Sequence, residues 1–202
     1  MNMSQNQMNR VDLSGFFPIN PPEKFVLQND CLTIITDPET DFWQRTYYGF
    51  QNNNGHAFVK PVVGDFTFSV KTTFEAVGQY DQCGVILCQD SENWVKCSVE
   101  YENNEYARLG SVVTNLGFSD WASTDISSAL RTVWYRFSRR GQDFCVENSM
   151  DGENYHQMRI FHMHNLISEA RVGVYACSPL KSSFKSVFSD FDLGACQWSD
   201  PH

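Results

Sequence analysis

Apolar and polar residues in this chain change places at every second position far more often than at every third or fourth. Phe66-Thr67-Phe68-Ser69-Val70 is one such run, and Trp94-Val95-Lys96-Cys97-Ser98-Val99-Glu100-Tyr101-Glu102 is a longer one. Alternation of period two sends successive side chains to opposite faces of an extended strand. Leu32-Thr33-Ile34-Ile35, Ala57-Phe58-Val59 and Val85-Ile86-Leu87 are short apolar runs rich in β-branched and aromatic residues, the other signature of a strand. With similar stretches at 106–114, 133–139, 144–148, 155–163, 171–176 and 184–191, at least a dozen strands are expected. Between them stand turn formers that tolerate positive φ, such as Asn52-Asn53-Asn54-Gly55, Asn103-Asn104, Arg140-Gly141 and Asp151-Gly152. Their spacing of about 8 to 12 residues predicts antiparallel sheets packed face to face, with at most a helical turn near Ile126–Leu130 or Leu166–Ala170. Residues 1–10 are polar and aperiodic and read as a mobile tail, leaving 11–202 as a single β-sandwich domain.

Composition adds a core large enough for that reading. The 202 residues are 42% hydrophobic and include 16 Phe, 8 Tyr and 5 Trp, and all-β domains of about 200 to 250 residues routinely fold as one unit. Charge narrows the partners: 15 Lys plus Arg against 24 Asp plus Glu give a formal −9, a field that repels phosphate backbones and anionic lipid, so neither nucleic acid nor membrane is expected. No stretch approaches the about 18 consecutive apolar residues of a membrane span. Met1-Asn2-Met3-Ser4-Gln5-Asn6 lacks the basic and apolar parts of a signal peptide, and the chain reads as cytoplasmic. Its seven cysteines are odd in number, and most lie in apolar runs such as Cys83-Gly84-Val85-Ile86-Leu87-Cys88, which marks them as reduced core residues rather than a disulfide framework.

The strand beginning at Trp94 carries the most chemistry. One face presents Val95, Cys97, Val99 and Tyr101 and belongs to the core; the other presents Trp94, Lys96, Ser98, Glu100 and Glu102. Around it the order of segments becomes specific: Thr40-Asp41-Phe42-Trp43, Tyr80-Asp81-Gln82-Cys83-Gly84-Val85-Ile86-Leu87, Asn93-Trp94-Val95-Lys96-Cys97-Ser98-Val99-Glu100, Val112-Val113-Thr114 followed by Ser119-Asp120-Trp121, then Ser149-Met150-Asp151-Gly152 and Arg171-Val172-Gly173-Val174-Tyr175-Ala176-Cys177-Ser178-Pro179. From about Asp41 to Phe191 the set resembles the family named for fungal "regulation of enolase" proteins. That resemblance implies a concanavalin-A-like jelly roll of two curved antiparallel sheets, whose concave sheet holds carbohydrate in relatives of the wider superfamily. It implies no particular activity.

On such a fold the polar face of the Trp94 strand lines the concave surface, with Gln82 on the preceding strand and the loop Ser119-Asp120-Trp121 converging on it. A flat aromatic under a pyranose face, with planar amide and carboxylate groups for vicinal hydroxyls, is the chemistry of a sugar site. Gln82, Trp94, Lys96, Glu100, Asp120 and Trp121 are therefore the candidate ligand-binding residues, with Lys96 placed to pair with a carboxylate. Glu100 and Lys96 are the catalytic candidates should the domain act on glycosides. Glu100-x-Glu102-x-x-Glu105 resembles a glucanase signature, but its central Asp is replaced. A type I′ turn at Asn103-Asn104 would leave Glu102 and Glu105 as exposed rim charges.

His156, His162 and His164 have the alternation of a metal site without a recognisable third ligand, and they read as decoration of a surface strand, so no metal or cofactor is expected. A structural calcium ion in loops such as Asp37–Asp41 leaves no spacing code to read. Phosphate-loop, nucleophile-elbow and activated-thiol motifs have no counterpart here. Three functions stay open. They are a non-catalytic module for a carbohydrate, sugar metabolite or other small polar ligand, with a regulatory role in sugar metabolism; a glycoside-acting enzyme using Glu100; and a module that engages a protein partner.

Overall fold

The computed structural model describes residues 12–165 and 168–199, and the expected tail at 1–10 lies outside the described residues. Two seven-stranded antiparallel sheets make up the sandwich. The first runs, edge to edge, β1 (Phe17–Ile19), β6 (His56–Val63), β15 (Glu169–Cys177), β8 (Gln82–Asp90), β9 (Asn93–Tyr101), β10 (Tyr106–Asn115) and β11 (Phe118–Ser127). The second runs β14 (His156–His162), β13 (Asp143–Ser149), β12 (Thr132–Arg140), β7 (Phe66–Glu75), β16 (Lys185–Gly194), β3 (Cys31–Ile35) and β2 (Lys24–Gln28). A hairpin of β4 (Phe42–Gln44) and β5 (Gln51–Asn53) stands apart from both. Among the described residues the helical content is one 3₁₀ turn, Leu13–Gly15, capped by the Asp12 carboxylate on the Ser14 amide at 2.9 Å.

Alternation explains the main core. Val95, Cys97 and Val99 of β9 point inward with Cys83, Val85 and Leu87 of β8 and meet Phe68, Val133, Tyr135, Phe137 and Phe188 of the second sheet, in one buried cluster. The second sheet keeps the pattern of a half-solvated sheet: β7 alternates buried and partly exposed residues from Phe68 to Phe74. The first sheet does not. Gln82–Cys88 of β8 and Asn93–Val99 of β9 are buried without a break, because the outer face of this sheet is covered as well. Phe42 and Trp43 of β4 lie on it, over Ala57, Val59, Ile86, Trp94, Val112 and Tyr175, and form a second apolar cluster.

Three local expectations change in the structure. Ser119-Asp120-Trp121 is not a loop but the start of the edge strand β11, whose polar residues on both faces give no hydrophobic alternation to read. The turn at Asn103-Asn104 ends β9 as expected, yet neither asparagine has positive φ. Instead of a type I′ turn, the Asn103 carboxamide accepts from the amides of Glu105 and Tyr106 at 2.8 and 3.2 Å. The segment Ile126–Leu130 holds no helix; β11 runs to Ser127, and a turn closes through the Leu130 amide on the Ser127 carbonyl at 3.1 Å. Of the other proposed helical turn, residues 166 and 167 lie outside the described residues, and Glu169 and Ala170 already belong to β15.

Candidate functional site

Strand register builds the site row by row on the outer face of the first sheet. Ladder pairing sets Cys177, Gln82, Glu100, Arg108 and Asp125 side by side across β15, β8, β9, β10 and β11. The next outward row is Tyr175, Gly84, Ser98, Gly110 and Ser123, and the one after is Gly173, Ile86, Lys96, Val112 and Trp121. In the middle of that patch Gly84, Ser98 and Gly110 project almost nothing, so a hollow opens between the charged row and the Lys96–Trp121 row. A cavity of about 490 Å³ occupies it, within the usual range for a small-molecule site.

Walls rise from segments distant in sequence. Trp43, Tyr48 and Phe50 come from the β4–β5 hairpin and Tyr80 from the loop before β8, while Trp121 closes the β11 side. The hairpin is pinned where it crosses the sheet: Arg45 makes two hydrogen bonds to the Glu92 carboxylate, at 2.7 and 3.0 Å, and a third to the Gly117 carbonyl at 2.8 Å. The Gln44 amide donates to Ser119 Oγ at 2.9 Å. Tyr80 sits at φ 69°, held there because the buried Asp81 carboxylate accepts from the amides of Val77 and Gly78 and from the hydroxyls of Ser178 and Ser182, all within 2.9 Å.

The polar floor is one connected network. Lys96, buried, donates to Asp41 Oδ1 at 3.0 Å and to Gln82 Oε1 at 2.8 Å, with its ammonium about 6 Å from the ring centres of Trp94 and Tyr175. Gln82 Oε1 also accepts from the Tyr175 hydroxyl at 3.1 Å, and its Nε2 donates to Glu100 Oε2 at 2.9 Å and to the Tyr80 carbonyl at 3.2 Å. That uses both lone pairs and both hydrogens of the amide and fixes its orientation. Glu102 pairs with Arg108 at 2.8 Å and accepts from Gln79 at 3.1 Å. Glu100 is the carboxylate of this floor without an ion pair. Burial pushes its pKa up to about 7, Lys96 and Arg108 act against the rise, and the negative charges of Asp41 and Glu102 add to it.

Of the six ligand-binding candidates, the structure brings Gln82, Lys96, Glu100 and Trp121 to the cavity. Trp94 is not in its lining. It is buried at 1% exposure under Phe42, with ring centres 5.7 Å apart, so its indole packs the second apolar cluster, beneath the cover and away from the cavity lining. Asp120 is also displaced. On β11 it alternates with Trp121, so the two leave opposite faces of the strand, and its carboxylate pairs with Arg159 of β14 at 3.0 Å across the open edge of the sandwich. Trp121 instead leans over Gly110, where an added Cβ would come within 2.9 Å of its Nε1.

Glu102 is no exposed rim charge: it is 8% exposed, because Arg108, crossing from β10, covers it, whereas Glu105 is exposed. Sequence reasoning missed Arg108 and the wall residues Trp43, Tyr48 and Tyr80, and it missed the role of Asp41, the ion-pair partner of Lys96 from 55 positions away, whose signal was its place in the Thr40-Asp41-Phe42-Trp43 segment. Among the described residues no group of three His, Cys, Asp or Glu is placed to hold a metal ion. His162 pairs with Asp143 at 2.7 Å, and Asp41, at the end of the Asp37–Asp41 loop, pairs with Lys96 at 3.0 Å.

Fold and cavity together define a concanavalin-A-like β-sandwich with a polar, aromatic-walled pocket on the outer face of one sheet. The chain belongs to the family described as protein of unknown function (DUF1349), whose model matches residues 19–196. A relative from Saccharomyces cerevisiae (strain ATCC 204508 / S288c), described as regulation of enolase protein 1, is 29% identical over 185 residues, 92% of each chain. The solved structure of a functionally unknown Saccharomyces cerevisiae protein is similar at a TM-score of 0.87 and 28% identity, over 93% of this chain and 100% of that one. Carbohydrate binding module CBM66 from Bacillus subtilis is similar at a TM-score of 0.55 and 12% identity, covering 90% of this chain and 96% of its own. The GH43 protein BlXynB from Bacillus licheniformis matches at 0.65 and 15%, over 86% of this chain and 35% of that one. At those identities the last two show the fold alone. Among the described residues no helix is long and apolar enough to cross a membrane.

Proposed function

We propose that the cavity binds a carbohydrate or a similarly polyhydroxylated small molecule without transforming it. The observation that carries this reading is the Lys96–Gln82–Glu100 network, which presents one oriented carboxylate among aromatic walls. Aromatic rings take the apolar faces of a sugar, and a fixed carboxylate takes its hydroxyls. Binding is favoured over glycoside hydrolysis because Asp41 and Glu102, the other carboxylates of the lining, are tied to Lys96 and Arg108. A two-carboxylate mechanism needs a second free acid or base opposite the first. The description of the yeast relative is compatible with a regulatory sensor of a sugar metabolite, and this cavity is the site such a sensor would use.

A panel of neutral, amino, acidic and phosphorylated sugars, read by thermal shift, tests the proposal. A ligand at 100 times its dissociation constant adds about 2.7 kcal/mol, or roughly 5 to 10 °C for a chain of this size. The shift should vanish in Trp121→Ala. A shift retained in that variant, or none with any sugar, overturns the reading, and turnover of aryl glycosides that is lost in Glu100→Gln would establish the enzyme instead.

A further inference from the structure

The charges lining the cavity do not cancel. Asp41, Glu100 and Glu102 face Lys96 and Arg108, and each cation is already committed: Lys96 to Asp41 at 3.0 Å and Arg108 to Glu102 at 2.8 Å. Glu100 is left with hydrogen bonds instead of a counter-charge. Among the described residues its protein donor is the Gln82 amide, which reaches Oε2. The groups around it follow from the register: Gln82 on β8, Ser98 and then Lys96 along β9, Glu102 just past the end of that strand, Arg108 opposite on β10, with Tyr80, Asp41 and Tyr175 also nearby. No cation from any of these elements pairs with it.

Filling the cavity would strip the remaining water from that carboxylate, and what enters decides whether the cost is recovered. An anionic ligand would meet Glu100, and the two cations nearby already have their charge balanced by Asp41 and Glu102. A neutral hydroxyl could donate to it at modest gain. A cationic group recovers most, because a charge-assisted hydrogen bond is about twice as strong as a neutral one. The aromatic rings of Trp43, Tyr48 and Tyr80 around the cavity also suit a cation, whereas Trp121 already carries the Arg108 guanidinium 5.2 Å from its ring centre. A net charge of −9 on the chain draws the same class of ligand in.

We infer that the occupant carries a protonated amine that docks against Glu100, so that a sugar with a free amino group is preferred over neutral, acylated and acidic sugars. This rests on the reading of the cavity as a sugar-type site and adds the charge of its ligand. The rise of the Glu100 pKa to about 7 agrees with it, since an acid raised by burial and like charges is one that a bound cation would return to its ionised form.

Glucosamine, glucose, N-acetylglucosamine and glucose 6-phosphate form a test set on one ring skeleton, and their dissociation constants are read at neutral pH from tryptophan fluorescence. Glucosamine should bind tightest, by about tenfold or more over glucose and N-acetylglucosamine. Its advantage should fall as salt is raised, while that of a neutral sugar stays. In Glu100→Gln the preference should collapse to within about twofold, the scale of a neutral hydrogen bond. Equal or tighter binding of glucose or N-acetylglucosamine overturns the amine and leaves the sugar pocket standing. Tightest binding of glucose 6-phosphate also overturns it, and shows that Lys96 or Arg108 is released to the ligand. Failure of all four to saturate below about 50 mM overturns the inference too; the broader panel then judges the pocket separately.

Discussion

Glu100→Gln should make the folded protein more stable at neutral and alkaline pH, which is unusual for the loss of a half-buried charged group. The reason is the state in which the fold holds this carboxyl. Its pKa rises from an ordinary 4.5 to about 7, with burial the largest cause. Between those two values the folded chain keeps a proton that the unfolded chain has released. Stability from this group is therefore fully present below about pH 4.5 and is lost as pH rises through about 7. Each unit of pKa difference is worth about 1.36 kcal/mol, so the span from 4.5 to about 7 sets a ceiling of about 3 kcal/mol on the loss.

Glutamine cannot ionise and so escapes that loss. It also keeps the one protein contact that matters, because its carboxamide oxygen can accept from Gln82 Nε2 as the carboxylate does at 2.9 Å. Urea unfolding followed by tryptophan fluorescence at several pH values reads the difference. Variant and wild type should agree within about 0.5 kcal/mol near pH 4.5 and diverge to as much as about 3 kcal/mol in favour of the variant near pH 8. The same substitution should weaken ligand binding, the trade between stability and function expected where an active group is held in an unfavourable state. A constant difference across the pH range, or a variant less stable at every pH, would refute the account of how Glu100 is held.

Three further outcomes follow from the same geometry. Lys96→Met should destabilise by about 3 to 5 kcal/mol by leaving the largely buried Asp41 carboxylate without its cation, and Lys96→Met combined with Asp41→Asn should recover part of that in chemical unfolding; a double variant no more stable than the single one counts against the pair. Trp94→Ala should cost about 3 to 5 kcal/mol, because its ring is buried under Phe42, whereas the partly exposed Trp121→Ala should cost clearly less; equal losses would contradict the separation of packing from platform. Thiol titration in denaturant without reductant should count seven, as all seven cysteines are free. In the native protein Cys83, Cys88, Cys97 and Cys177 should stay silent near neutral pH, since burial raises each thiol pKa, to about 12 at Cys88 and Cys97; rapid native labelling of these would show the first sheet to be open.

Whether a residue's place is legible in the sequence depends on whether its partner is local. The inward face of β9 is legible because Val95, Cys97 and Val99 repeat at period two. The outward face reads as polar from Lys96, Ser98 and Glu100, and those three do line the cavity. Trp94, on the same face, does not follow them: period two gives the face of a side chain but not what covers it, and Phe42 arrives from 52 positions upstream. One clue is present in the run Cys83-Gly84-Val85-Ile86-Leu87-Cys88, which is apolar at both parities. Such continuity marks a strand buried on both sides, and it announces the cover that β4 provides. Glu102 departs from its sequence reading for a related reason, since its burial is the work of Arg108, which the hairpin register sets opposite Glu100 and whose side chain reaches diagonally to Glu102, a contact that propensity does not specify.

What turns a covered sheet face into a pocket is the row that is missing side chains. Gly84 cannot be enlarged, because a Cβ there would lie 2.0 Å from the Cys97 carbonyl of the neighbouring strand, so its smallness serves the close approach of β8 to β9. Gly110 meets a different limit. The nearest atom to an added Cβ is Trp121 Nε1 at 2.9 Å, a side-chain atom in the wall of the cavity. The first glycine is required by the sheet, the second by the position of the indole, and Ser98 lies between them in the same row. The hollow is thus not a packing defect of the sandwich. The fold leaves it at Gly84, Gly110 extends it to Trp121, and the Asp41–Lys96 and Glu102–Arg108 pairs balance the cations around it, leaving Glu100 as the carboxylate of the lining without a counter-charge.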